Sequence, residues 1–179
     1  MTISMRTLAV DSFGPMLRTL SELLDKGAAH AQAKGYDVSV LLNDRLAPDM
    51  LPLWFHVQFA CHQAGAFTAH LVGREAAMFD RDQPTGLENL KALIAVTMHQ
   101  LEHLPQAAFD SAADREVSFP LQGSLELRMK GLAFLQNWIA PQFYFHVVTT
   151  YAILRHNGVE LGIQDYMSQI GGSIRQAAA

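Results

Sequence analysis

The stretch FHVVTTYAILRHNGVELG, residues Phe145 to Gly162, decides the fold. It joins a helix that reads as buried to a ligand-type side chain, His146, and to a stop at Asn157-Gly158, where a left-handed residue ends a helix most easily. Working upstream, the same helical region extends back to Gly131, and Pro141 predicts an interruption or kink because it has no backbone N–H.

Three further helices precede it. From Ser4 to Lys34, apolar residues at Leu8, Phe13, Leu17, Leu20, Leu24 and Ala28 recur at three- to four-residue steps, the spacing of one buried helical face. Pro15 predicts a kink or a late start near Asp11 or Ser12, and Gly35 predicts the end. Asp37 is placed to cap a short turn through Asn43. A second long helix is expected from Leu53 to Val72, with Pro52 near its first position and a core face of Leu53, Val57, Ala60, Ala64, Phe67 and Leu71. Thr85-Gly86-Leu87-Glu88 has the spacing of a capping box and predicts a third helix, to Leu104, which Pro105 ends. Between Arg115 and Met129, Val117, Phe119 and Leu121 alternate before Gln122-Gly123, and Leu125, Leu127 and Met129 alternate after it. This is a β-hairpin signal, and Pro120 restricts it to a short edge pairing.

Bulk properties exclude several classes. The chain has 179 residues, 50% apolar and 17% charged, which suits one folded domain with a real core rather than a disordered chain. A net charge of -4 with scattered Lys and Arg argues against nucleic acid as a partner. No apolar run approaches the roughly 18 to 20 residues of a membrane span, and Asp11 and Gly14-Pro15 interrupt the start, so no signal peptide and no membrane partner is expected. One cysteine, Cys61, excludes an internal disulfide, and the cytoplasm is the expected compartment. A single domain is expected over residues 1–170, with a frayed tail at 171–179.

At the fourth helix the chain resembles the DinB/YfiT-like superfamily of four-helix bundles. His146, Leu154, Arg155 and Gly158 fall at the offsets of that superfamily's second helix-four histidine and the Leu-Arg and glycine that follow it. The first histidine position is then Gln142, and Val147-Val148-Thr149 replaces the usual Arg-Gly-Gln. Within the superfamily, LLDKGAAHAQAKG (23–35), LLNDRLAPDMLPL (41–53), VQFAC (57–61), PQFYFHVVTTYAILRHNGVELG (141–162) and Asp165-Tyr166-Met167 resemble the bacterial family called domain of unknown function number nineteen ninety-three. Its members usually carry Asn where Gln142 stands and Gln where His56 stands. The superfamily resemblance implies a metal held by histidines of helices two and four, and reactions of transferase, isomerase or hydrolase type with thiol cofactors.

The residues themselves support a narrower set. Of the histidines on helix two, His56 lies roughly 60° from the centre of the core face, His70 roughly 100°, and His62 opposite it. His56 and His146 are therefore the candidate metal ligands, for a divalent ion such as zinc or nickel. Gln142, one turn from His146, is a polar neighbour because an amide oxygen is a poor zinc ligand, and Tyr144 and Tyr151 are the other polar residues expected at the pocket. The opposing reading is a histidine pair satisfied by those hydrogen bonds, with no metal. His99-Gln-Leu-Glu-His103 has the spacing of an inverted zinc-peptidase motif, but it ends two residues before Pro105, in a last turn where histidines serve the helix dipole. Arg155-His156-Asn157 reads the same way. Cys61 has no base beside it in the sequence pattern and reads as a packed thiol.

The aromatic residues Trp54, Phe55, Phe59, Trp138, Phe143, Tyr144 and Phe145 crowd the beginnings of helices two and four. They cannot all face one core stripe, which points to a small-molecule pocket or a homodimer contact, the opposing reading being a large bundle core with the hairpin folded over it. The expectation is an all-α, DinB-like four-helix bundle with a small β-hairpin before the last helix. It carries either a metal-dependent or metal-vestigial enzyme site between helices two and four, or a non-enzymatic bundle that binds a small molecule or dimerises.

Overall fold

In the computed structural model the described residues are 4–74, 85–121 and 123–173, the side chains of 67, 119 and 120 excepted. Expectations for Gln122, for the Phe67 side chain and for the tail beyond 173 lie outside them. The first bundle helix, α1, spans Met5–Lys34, with Ser4 accepting from the Thr7 amide at its start. It runs through Pro15 from this earlier cap, so the late start near Asp11 or Ser12 is corrected. Gly35 ends it at φ 76°, its amide reaching the Ala31 and Gln32 carbonyls. A short helix, α2 (Ser39–Asn43), follows, and the Asp37 carboxylate accepts from the Ser39 amide at 2.8 Å.

The second bundle helix is in three pieces: α3 (Leu53–His62), a π-turn (Gln63–Phe67) and α4 (Thr68–Leu71). Pro52 sits at its N-cap, one position earlier than expected. The third is α5 (Leu87–Glu102), whose N-cap is Gly86 with no side-chain bond. The expected capping box of Thr85 and Glu88 is therefore not formed, because the helix starts one residue late for that pairing. A two-stranded antiparallel hairpin follows, β1 (Glu116–Pro120) and β2 (Glu126–Lys130), in the register Val117 with Met129. The fourth bundle helix is again broken: α6 (Gly131–Phe134), a π-turn (Leu135–Ile139) and α7 (Ala140–His156). The expected break at Pro141 is this π-turn just upstream of it, beside a residue that cannot donate into the helical ladder. A final turn, α8 (Ile163–Tyr166), starts where Asp165 accepts from the Gly162 amide at 2.7 Å, and a 3₁₀ segment covers Ser168–Ser173.

Packing joins these helices in a square. α3 lies against α7 and α5, and α1 lies against α5 and α7. Phe13 of α1 and Phe143 of α7 meet in the interior with ring centroids 4.7 Å apart, and both are fully buried. Each such ring contributes about 2 to 3 kcal/mol by leaving water. The start of α3 is buried nearly all round, at Leu53, Trp54, Phe55, His56 and Val57. Among the described residues no helix is long and apolar enough to cross a membrane.

Candidate functional site: a buried histidine pair

The seam between α3 and α7 brings His56 and His146 together. Their Nδ1 atoms are 2.8 Å apart, and the residues are 2% and 8% exposed. The His56 Nε2 atom lies 3.2 Å from the Leu51 carbonyl oxygen, which belongs to the loop between α2 and α3. That loop is anchored at both ends: the Leu53 amide donates to the Asp44 carbonyl at 2.9 Å, and Asn157 at the end of α7 donates to the Asp44 carboxylate at 2.5 Å. The Arg45 guanidinium also donates to the Met50 carbonyl.

These partners fix the protons. A carbonyl only accepts, so His56 carries its hydrogen on Nε2 and presents a bare Nδ1. Two bare nitrogens would repel at this distance, so His146 carries its hydrogen on Nδ1 and donates to His56. The lone pair of His146 is then on Nε2. The result is a chain running from the Leu51 carbonyl through His56 to His146, in which each ring orients the next.

Aromatic rings enclose the pair. Phe59 lies 4.5 Å from the His146 ring centroid and Phe145 lies 5.2 Å from it, while Phe145 and Phe55 each lie 6.2 Å from His56. Phe145 is 53% exposed, so the wall it forms faces solvent. Burial holds the pKa of both histidines below the ordinary value of 6.5, and a charge on His56 would lower that of His146 further. Both rings are neutral at neutral pH.

A second contact lies further along the seam. Gln63 donates through Nε2 to the Gln142 Oε1 at 3.2 Å, and Gln142 donates through its own Nε2 to the Trp138 carbonyl at 3.3 Å. Both ends of the Gln142 amide are thus engaged away from the histidines, and the expectation that it serves the pair directly is corrected. Tyr144 and Tyr151 are corrected as well. Tyr144 lies about 200° around the helix from His146 and packs on Phe143, with ring centroids 5.3 Å apart. Tyr151 has its ring 6.1 Å from Tyr166 and its hydroxyl 3.5 Å from the Leu161 carbonyl. Their side of α7 faces the chain's C-terminal turn.

The metal that the resemblance implies needs more donors than this. Zinc takes three protein ligands at a catalytic site and four at a structural one. Here two imidazoles converge, Gln142 is committed elsewhere, and among the described residues no group of three or more His, Cys, Asp or Glu could hold a metal ion. The donor set does not fit a zinc centre. His99 and His103 form a separate, exposed pair, stacked with centroids 3.9 Å apart, and the His103 Nδ1 reaches the His99 carbonyl at 2.7 Å. Sequence reasoning missed the Leu51 carbonyl and Gln63. A signal for Gln63 existed, since it follows His56 by seven residues, two helical turns on one face.

Comparison with known proteins agrees with this architecture. A family model described as a domain of unknown function, DUF1993, matches residues 5–167. A crystal structure of a DinB family member protein from Shewanella denitrificans is 38% identical, with a TM-score of 0.83, over 97% of this chain and 95% of that one. No curated protein matches the chain. With a family model spanning nearly its whole length and that structural likeness behind it, the chain belongs to the DUF1993 family of DinB-like helical bundles.

Proposed function

We propose that this protein is a metal-vestigial enzyme acting on a small molecule at the seam of α3 and α7, with the histidine pair as its proton-transferring group. The Nδ1 contact of 2.8 Å between His56 and His146 carries this reading, because it is the distance of a shared proton. Two nitrogens of one tetrahedral metal would stand about 3.3 Å apart. In the reaction the His146 Nε2 lone pair forms a bond to a substrate hydrogen, and the electrons of the broken bond stay on the substrate. The imidazolium so formed donates through Nδ1 to His56, which the Leu51 carbonyl holds in place. Burial makes the pair a weak base alone, and negative charge developing on a substrate beside it offsets that penalty.

The test uses protein made without a histidine tag. Long-range nitrogen–proton NMR is expected to find His56 in the Nε2–H form and His146 in the Nδ1–H form, and metal analysis is expected to find no stoichiometric ion. Near-stoichiometric zinc or nickel that vanishes in His146→Ala would overturn the reading. A His99→Ala/His103→Ala variant serves as the control, because the exposed pair can capture metal by itself.

A second reading, a homodimer through α7, is favoured by Phe145 and Val148. They are 53% and 46% exposed and lie three residues apart, on one helical face. Light scattering after gel filtration is expected to give twice the chain mass, and Phe145→Ser to return it to one. A monomeric wild-type chain at micromolar concentration would exclude this reading.

A further inference from the structure

The seam carries a second polar layer whose chemistry differs from that of the histidine pair. Gln63 and Thr68 are both fully buried, yet the Gln63 Oε1 and the Thr68 Oγ1 have no hydrogen-bond partner among the described residues. The two residues stand five apart, at the two ends of one π-turn, whose i to i+5 bonding brings such residues to one side of the helix. The π-turn packs on α5, where Gly65 faces Thr97 and Gln100, and on the fourth bundle helix, where Gln142 accepts from Gln63. Buried polar atoms left unpaired are destabilising and rare, and π-turns concentrate at functional sites.

We propose that this layer is a binding site for one uncharged hydrogen-bond donor, an O–H or N–H group that donates to the Gln63 Oε1 and contacts the Thr68 hydroxyl. An internal water and the polar end of a small molecule share this chemistry. An anion does not fit. Residues 53–73 and 131–154 contain no Lys or Arg to neutralise one and no Asp or Glu to hold a cation, and the α5 side chains that face the turn at Gly65, Thr97 and Gln100, are uncharged. The site therefore selects alcohols, amides or water over carboxylates and phosphates. This inference stands apart from the proton chemistry of His146, since it rests on oxygens that neither histidine touches.

High-resolution crystallography of the wild-type protein and the stability of Thr68→Val test it together. The expected results are density within about 2.7 to 3.2 Å of the Gln63 Oε1 and a Tm several degrees lower in Thr68→Val, which keeps the shape but removes the hydroxyl. Thr68→Ser, which keeps the hydroxyl, is expected to retain the density. Repeating the structure after unfolding, dialysis and refolding separates the sources: a single returning peak identifies water, whereas a peak lost together with an adduct seen by native mass spectrometry identifies a small molecule. A Gln63 Oε1 contacted only by protein groups, or a Thr68→Val protein as stable as wild type, would overturn the proposal.

Discussion

Gly131 shows how a single residue ties the hairpin to the bundle. A Cβ there would lie 1.8 Å from the Ala112 carbonyl oxygen and 3.1 Å from the Leu71 side chain. The close approach lets the Gly131 amide donate to the Arg115 carbonyl at 2.8 Å and the Leu132 amide to the Ala113 carbonyl at 3.0 Å. Gly131→Ala must push backbone against backbone, and we expect it to destabilise by about 2 to 3 kcal/mol in urea unfolding. Gly14→Ala is the contrast. It lies inside α1 with nothing within 4 Å of the added carbon, so a gain of about 0.5 to 1 kcal/mol is expected. An equal response at the two positions would contradict the close packing at Gly131. At the same scale Cys61 is inert: burial pushes its thiol up to about 12, so it offers no thiolate at neutral pH. The sequence pattern named both histidines of the pair, because ligand-type side chains stand out in apolar helices. It could not name the Leu51 carbonyl, since backbone groups carry no sequence signature, and it expected Tyr144 and Tyr151 at the pocket, whereas their rings contact Phe143 and Tyr166.

Elements were legible wherever periodicity and stop residues agreed. Gly35 and Gly158, at φ 76° and 83°, end α1 and α7 where glycine in the left-handed region was expected to end them, and the hairpin forms within the alternating stretch, with Val117 paired to Met129. The second bundle helix reads as one continuous element and the fourth as one interrupted at Pro141, and each contains a five-residue π-turn. A π-turn adds a residue to one turn and shifts the helical phase of everything beyond it. A wheel drawn at a constant angle therefore fails across it, while the apolar composition on both sides stays unchanged. His56 lies upstream of the turn, and although the wheel places it roughly 60° off the centre of the core face it is buried at 2%. At the start of α3 the aromatic neighbours close around the whole helix, and no outer face is left for the wheel to find. Pro141 signalled an interruption but not its form, because a missing donor can be met by a kink, a bulge or a wider turn.

For the molecule as a whole, the neutral histidine pair predicts how stability changes with pH. The unfolded chain protonates each histidine near 6.5, whereas burial holds both below that value in the folded state. As pH falls below about 6.5 the unfolded state binds more protons than the folded one, so stability is full above that value and declines below it. One proton excluded from the folded state gives a slope of at most about 1.4 kcal/mol per pH unit. Asp37 and Asp165, whose pKa values are lowered by their hydrogen bonds to Ser39 and to Lys26, act in a lower window. Their contribution is lost only as pH falls below 3.8, and Asp37 is exposed while Asp165 is half-buried. Between 6.5 and about 4 the pair therefore acts apart from these two carboxylates. Replacing both rings in His56→Leu/His146→Leu removes the titrating groups together and leaves neither ring without its partner, while the Leu51 carbonyl that loses its donor belongs to an exposed residue that water can reach, so the variant is expected to fold and its stability to be flatter across that range. Measuring urea unfolding with a chelator present keeps metal release from mimicking the effect. An unchanged slope in the double variant would show that the acid sensitivity arises elsewhere in the bundle, and that His56 and His146 are not held neutral by their burial.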